Sequence, residues 1–314
     1  MRSKFLRFTA AVVLAMMPLF YAYGGNGTEK ASTPDTITLS SKLNSLESSL
    51  YGLNYKKVID KYLPMLDNKF TVTRFGYFVV FSELNEDETY NLIDGELRDV
   101  SGAMIDNYIS KRPKDVTGII VYKKDNFYRY KNFLEKKLEI KNVTERNTGY
   151  HSQKRALIIM RYIEGKGTIL HEATHKFMKA DFPDAPIWFD EGLASLHEAS
   201  NYTGGKLVGG FSLRLLTLKT AMVEGEYKNL RHLMEMERKV FNKENTLLNY
   251  AQARYLIMFM QEKGILERYY KLFRGTYHDD NTGITQLEKV YGKPLNKIEL
   301  DYTVYVYSFK GIYP

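Results

Sequence analysis

His171-Glu172-Ala173-Thr174-His175 constrains this chain more than any other stretch, because its chemistry works only on a helix. Residues four apart on an α-helix lie on one face about one turn apart, so both imidazoles can reach a single metal ion. Glu172, one position round from His171, can then act on a water that the metal polarises, which yields a hydroxide-like nucleophile near neutral pH. The flanks agree with a helix. Gly165-Lys166-Gly167-Thr168 is a loop ending in a good capping residue, and Ile169, Leu170, Ala173, Thr174, Phe177 and Met178 recur at helical spacing. Pro183 requires the helix to end before it. Just upstream, Arg155 to Tyr162 is short, apolar and bounded by polar residues, so it reads as a strand, with an edge along which an extended peptide could lie.

Two histidines leave a zinc site short, since a catalytic zinc usually takes three protein ligands and keeps the fourth position open. A second helix is expected from Pro186, with an apolar stripe through Trp188, Leu193 and Leu196. Glu191 lies 16 positions after His175, enough for a turn and an antiparallel return, and is the expected third ligand. H-E-x-x-H followed by Trp188-Phe189-Asp190-Glu191-Gly192-Leu193-Ala194, a W-x-x-E-G-x-A segment, resembles the gluzincin superfamily of zinc metallopeptidases. The second segment is similar to that of aminopeptidase N and leukotriene A4 hydrolase. The resemblance implies that His171, His175 and Glu191 bind one Zn2+ per chain and that Glu172 is the general base. The separation is three residues shorter than in the aminopeptidases, so the connecting loop must differ. Their further glutamate, seven positions on, is matched by Glu198, which would orient a ligand.

Leu247 to Met260 is a strongly apolar helix with Tyr250 near its start. It resembles the aminopeptidases' Y-x-x-G-A segment, whose tyrosine donates a hydrogen bond to the tetrahedral oxyanion, a task suited to an uncharged phenol. Tyr255 on the same helix is the reserve candidate in a chain with 25 Tyr. Gly102-Ala103-Met104-Ile105-Asp106-Asn107 is similar to the G-A-M-E-N loop of aminopeptidases but carries an extra residue. It lies inside a helical pattern from Tyr90 to Ile109, so it reads as a packing helix, and an amino-terminal exopeptidase is not supported.

Arg2, Lys4 and Arg7 precede an apolar run from Phe8 to Tyr23, and Ala22-Tyr23-Gly24 fits a cleavage site, so residues 1–24 read as a secretory signal. The run is too short and too terminal to argue for a stable span after cleavage. With 0 Cys there is neither a disulfide framework nor a lipidation site, and the composition suits an exported bacterial protein, secreted or periplasmic. Those three basic residues belong to the formal +8, so the remainder carries +5, which is no nucleic-acid footprint. The partner expected is a peptide or protein substrate.

Residues 25–40, rich in Gly, Ser and Thr, read as a linker. The expected fold is α+β. Residues 41–164 form a small mixed sheet covered by helices: a helix from Leu43 to Leu63, a strand pair within Phe70 to Ser82, the 90–109 helix, a strand at Gly118 to Tyr122, a helix from Tyr128 to Leu138 and the strand at 155–162. Residues 165–314 form a mostly helical half carrying the zinc site, with helix stops at Gly264, Gly275 and Gly292 and a flexible Gly-rich loop at 204–210. The resemblance implies a thermolysin-like catalytic domain. His151, His197, His232 and His278 lack ligand-like spacing and read as structural or solvated. The function expected is zinc-dependent hydrolysis of peptide bonds. The alternative is a non-catalytic zinc-binding module at the cell envelope, for which an intact Glu172 would be superfluous.

Overall fold

Phe78–Ser82 and Thr117–Lys123 are buried on nearly every residue, and strands of that kind have cover on both faces. The computed structural model describes residues 52–145, 149–152, 154–162 and 167–309, and it supplies that cover. The signal segment, the linker and residues 43–51 of the expected first helix lie outside the described residues. Helix α1 begins at Tyr55 and runs to Tyr62, because the Asn54 side chain caps it by accepting from the Lys57 N–H at 3.0 Å.

A hairpin follows, β1 (Thr71–Phe75) and β2 (Phe78–Ser82), then a long helical stretch opened by a capping box between Asn85 and Glu88. It runs as α2 (Glu86–Asn91), a π turn (Leu92–Leu97), α3 (Arg98–Ala103) and a second π turn (Met104–Tyr108). The Gly102 to Asn107 segment is thus helical, with Ala103 and Met104 buried, as expected for a packing helix. Then come β3 (Thr117–Lys123), α4 (Phe127–Asn132), β4 (Gly149–Ser152) and β5 (Leu157–Tyr162). The sheet order is β1-β2-β3-β5-β4, parallel at β2/β3 and β3/β5 and antiparallel at both edges. The molecule is therefore mixed α+β with a small mixed sheet.

Side chains alternate across a strand, so Phe78 and Phe81 face opposite ways. Phe81 meets Tyr62 of α1, while Phe78 meets Phe177 of the helix that carries the H-E-x-x-H residues. That helix is α5 (Gly167–Asp181), and it ends before Pro183 as expected. The strand directly upstream of it, β5, is not an edge: β3 and β4 pair with it on either side. The edge on that side of the sheet is β4. Through the register, His151 pairs with Ile158 and Ile158 with Ile119, which places His151 on the face covered by α5. Gly149 shares that face, and a side chain there would meet Thr168 Cγ2 at 2.7 Å, so glycine lets the edge strand close on the start of α5.

The rest is helical apart from one hairpin. Helix α6 (Ile187–Glu198) is followed by β6 (Ser200–Thr203) and β7 (Lys206–Gly209), so the Gly-rich segment is an ordered turn and strand rather than a flexible loop. Gln261 holds it by accepting from the Gly209 N–H and donating to the Leu207 carbonyl, both at 2.8 Å. Helices α7 (Arg214–Val223), α8 (Leu230–Met234), α9 (Arg238–Phe241), α10 (Thr246–Glu262), α11 (Leu266–Gly275), α12 (Ile284–Tyr291) and α13 (Leu295–Ser308) complete the chain. Gly264 and Gly292 take the left-handed conformation at their stops. No helix among the described residues is long and apolar enough to cross a membrane.

Aromatic packing surrounds the turn between α5 and α6. Phe182, Trp188, Phe189, Tyr269 and Phe273 pack together there, some pairs edge to face, others tilted and Trp188 stacked on Phe273, with ring centroids 5.3–6.5 Å apart. Trp188 also donates to the Thr282 carbonyl at 3.1 Å. On its other side α6 lies against α10 so closely that a Cβ on Gly192 would stand 2.9 Å from the Ala253 carbonyl oxygen. Glycine inside a helix costs about 1 kcal/mol relative to alanine; here it is what admits the neighbouring backbone.

Candidate metal centre

One turn of α5 separates His171 from His175, and their Nε2 atoms stand 3.0 Å apart. Helix α6 returns Glu191 so that its Oε2 lies 3.4 Å from His171 Nε2 and 3.5 Å from His175 Nε2. Four ligands about 2.0–2.1 Å from a tetrahedral zinc would stand roughly 3.3 Å from one another. The three atoms thus already sit at the spacing of one face of such a tetrahedron, and together they could hold a metal ion.

The outward nitrogens explain why the inward ones converge. His175 Nδ1 donates to Asp190 Oδ1 at 2.8 Å, and His171 Nδ1 stands 3.0 Å from Glu198 Oε1. A carboxylate only accepts, so when these imidazoles are neutral the proton stays on each Nδ1 and each Nε2 presents its lone pair. Two lone pairs facing each other, beside a buried Glu191 Oε2 with no aligned donor, form a cradle for a cation. The outer carboxylates are themselves held. Arg214 grips Glu198 through three contacts of 2.9–3.2 Å, and Arg238 reaches Asp190 Oδ2 at 3.4 Å.

The electrostatics agree. Burial alone would push both imidazoles down, but Glu191 and Glu198 raise His171 to about 9, and Asp190 and Glu191 raise His175 well above the usual histidine range. Burial would lift the Glu191 carboxyl, yet the two imidazoles hold it far below the usual carboxylate range. The pocket favours positive charge at its centre.

Glu172 lies one position round α5 from His171, within the field of both imidazoles, and His151 Nδ1 donates to its Oε2 at 2.9 Å. His151 also stacks on His175, with ring centroids 6.1 Å apart and planes 17° from parallel. Burial tends to raise the Glu172 carboxyl, but His151 and the two ligand imidazoles outweigh it and keep the group ionised. His151, without ligand-like spacing in the sequence, nonetheless belongs to the site. No spacing along the chain announces it, because it arrives through the β4/β5 register.

Tyr250 reaches the site from the first turn of α10. Its hydroxyl pKa is raised by burial and then by the negative charge of Glu191, and its ring lies 5.3 Å beneath the Arg214 guanidinium. The reserve candidate Tyr255 is elsewhere: fully buried, it donates to the Ser212 carbonyl at 2.9 Å. His197 is structural. Burial, with His171 and Arg254 adding to it, drives its pKa down to about 3, and its Nδ1–H donates to Thr174 Oγ1 at 2.8 Å, pinning α6 to α5. His232 and His278 are exposed. Asp190, Arg214 and Arg238 carry no sequence signal of their own, although Asp190 stands directly before Glu191, where a helix places it near the same histidine pair.

Comparison with known protein families finds no match, and no curated protein proves similar to the chain.

Proposed function

We propose that this chain is a zinc-dependent peptidase of gluzincin type, with His171, His175 and Glu191 as the metal ligands and Glu172 as the general base. The observation that carries the reading is the pair of Nε2 lone pairs converging with Glu191 Oε2 at 3.0, 3.4 and 3.5 Å, each imidazole backed by a carboxylate. Backing of this kind fixes the tautomer and raises ligand basicity, and histidines that bind zinc almost always have it. Zinc bound there would supply Lewis acidity, lowering the pKa of a water and polarising the scissile carbonyl.

The chain's own residues would do the rest. Glu172, ionised and steadied by His151, takes a proton from the attacking water at its carboxylate and delivers it to the leaving amine. Tyr250, whose raised pKa keeps it protonated at neutral pH, donates its hydroxyl proton as a hydrogen bond to the developing oxyanion. A purely scaffolding module gives no reason to bury a carboxylate beside the metal and orient it with a third histidine. The signal-like residues 1–24 support a site of action outside the cytoplasm.

Glu172→Gln tests it. The variant should keep one zinc per chain by metal analysis and lose peptide hydrolysis, because the ligands survive and the base does not. Undiminished cleavage of a peptide library would refute the assignment.

A further inference from the structure

Two clefts meet at His151, His175 and Lys179, beside the metal centre. One of them, about 620 Å³, is walled by the segment Lys111-Arg112-Pro113-Lys114-Asp115 and by Lys176 and Lys179 of α5. Five cations line it against one carboxylate. Asp115 is consumed by Lys176, whose Nζ donates to the Asp115 carboxylate at 2.5 Å and to its carbonyl at 2.9 Å. Among the described residues no carboxylate pairs with Lys111, Arg112, Lys114 or Lys179. The whole chain beyond its amino-terminal segment carries only +5, so four unpaired cations in one cleft concentrate most of a net charge that is otherwise spread thinly.

The basic segment is held in place. At one end, buried Asp181 at the end of α5 accepts from the Ser110 and Lys111 backbone N–H groups at 3.0 and 2.7 Å, and is itself fixed by Arg274 at 2.6 Å and the Tyr270 hydroxyl at 3.0 Å. At the other end the Lys176 contacts tie Asp115 to the same helix. The loop between is thus anchored twice to the helix that carries the metal ligands, so its cations are presented at a fixed position relative to the reaction centre. Presentation on a rigid frame lowers the ordering cost of binding.

We propose that this cleft binds the acidic side of the substrate, and that the enzyme selects peptides with several Asp or Glu residues on one side of the scissile bond. A cleft lined by one sign of charge focuses the field and draws in oppositely charged ligands. The inference takes the peptidase reading as its frame, but binding can be measured without cleavage.

The test uses the zinc-loaded Glu172→Gln protein and fluorescein-labelled peptides that differ only in a flank of four Glu, four Gln or four Lys. Fluorescence anisotropy at low salt should show the Glu peptide binding on the order of tenfold more tightly than the Gln peptide, with the gap closing as salt rises. The exposed reversal K111E/K114E/K179E should abolish the preference while the far-ultraviolet circular dichroism is unchanged. Equal binding of the Glu and Gln peptides, a salt-independent gap, or a preference that survives the reversal would overturn the proposal. Wild-type protein given the same peptides separates the two readings. Cleavage without charge preference leaves the peptidase and removes the acidic selectivity. Preferential binding of the Glu peptide with no cleavage of any peptide upholds the cleft and removes the peptidase.

Discussion

Zinc binding should expel protons from the site, and the structure fixes how many. Glu172, Asp190, Glu191 and Glu198 bring four negative charges to the neighbourhood of the two imidazoles; Arg214 pairs with Glu198 and Arg238 with Asp190, while Glu172 and Glu191 have no lysine or arginine partner among the described residues. Two positive charges are missing. Without metal, protons on His171 and His175 supply them, which is why His171 rises to about 9 and His175 also rises well above its ordinary value. With zinc, both imidazoles must be neutral to ligate. Near pH 7 loading should therefore release close to two protons, and affinity should climb about a hundredfold per pH unit, since each proton contributes about 1.4 kcal/mol per unit. The climb should flatten above about 9, where His171 is already neutral. Calorimetry in buffers of different ionisation enthalpy measures the count from the slope of heat against that enthalpy. A count below one, or an affinity independent of pH between about 6 and 8, would refute the charge argument. The sign carries over to stability. A histidine whose folded pKa exceeds its unfolded value stabilises fully below the unfolded value, and the contribution disappears as pH rises through the folded one. Metal-free protein should accordingly lose melting temperature between about pH 7 and 9, while zinc-loaded protein should not follow it.

Asp190→Ala should weaken zinc binding about 10–100-fold in a chelator competition, and by more than Glu198→Ala, because Asp190 is the less exposed of the two and bonds the more deeply buried histidine at 2.8 Å against 3.0 Å. Equal zinc affinity in Asp190→Ala and wild type would show that His175 is oriented without it. His151→Ala should retain zinc yet lower kcat about tenfold or more, the worth of a hydrogen bond to a charged group. Because His151 lowers the Glu172 pKa, the acid limb of the pH–rate profile should also move to higher pH, and a profile that stays in place would leave His151 a packing role only. Gly192→Ala should destabilise by about 1–3 kcal/mol in denaturant titration, since the new methyl meets the Ala253 carbonyl at 2.9 Å. Stability equal to wild type would mean that α6 and α10 can part without cost.

What the chain reveals by itself divides along a physical line. His171, Glu172 and His175 are legible because one helix sets their relation, and the 3.6-residue period is a local property. Glu191 is legible because only a turn and a single return separate it from them, and Tyr250 only through a resemblance. His151 is not, since its place depends on which strand takes the sheet edge and in which register, and either choice is made by contacts far along the chain. The same reason misplaced the edge: a strand leading directly into α5 looks peripheral until β4 is seen to add on outside it. Glycines misled in the opposite direction. Gly204 and Gly205 do take positive φ as turn residues, but Gly209 and Gly210 are small for the sake of their neighbours. A Cβ on Gly209 would collide with the Leu196 side chain, and one on Gly210 would crowd the Ala199 carbonyl at 3.3 Å. A run of glycines therefore marks close approach as readily as freedom, and Gly192 beside the ligand Glu191 is the instance that matters most. Its absent side chain sets how near α10 comes to α6, and so how near Tyr250 comes to the Glu191 carboxylate whose charge raises its pKa. Enlarging Gly192 should thus reach the chemistry through Tyr250 before it reaches the metal through Glu191, whose helix stays pinned to α5 by the His197–Thr174 bond.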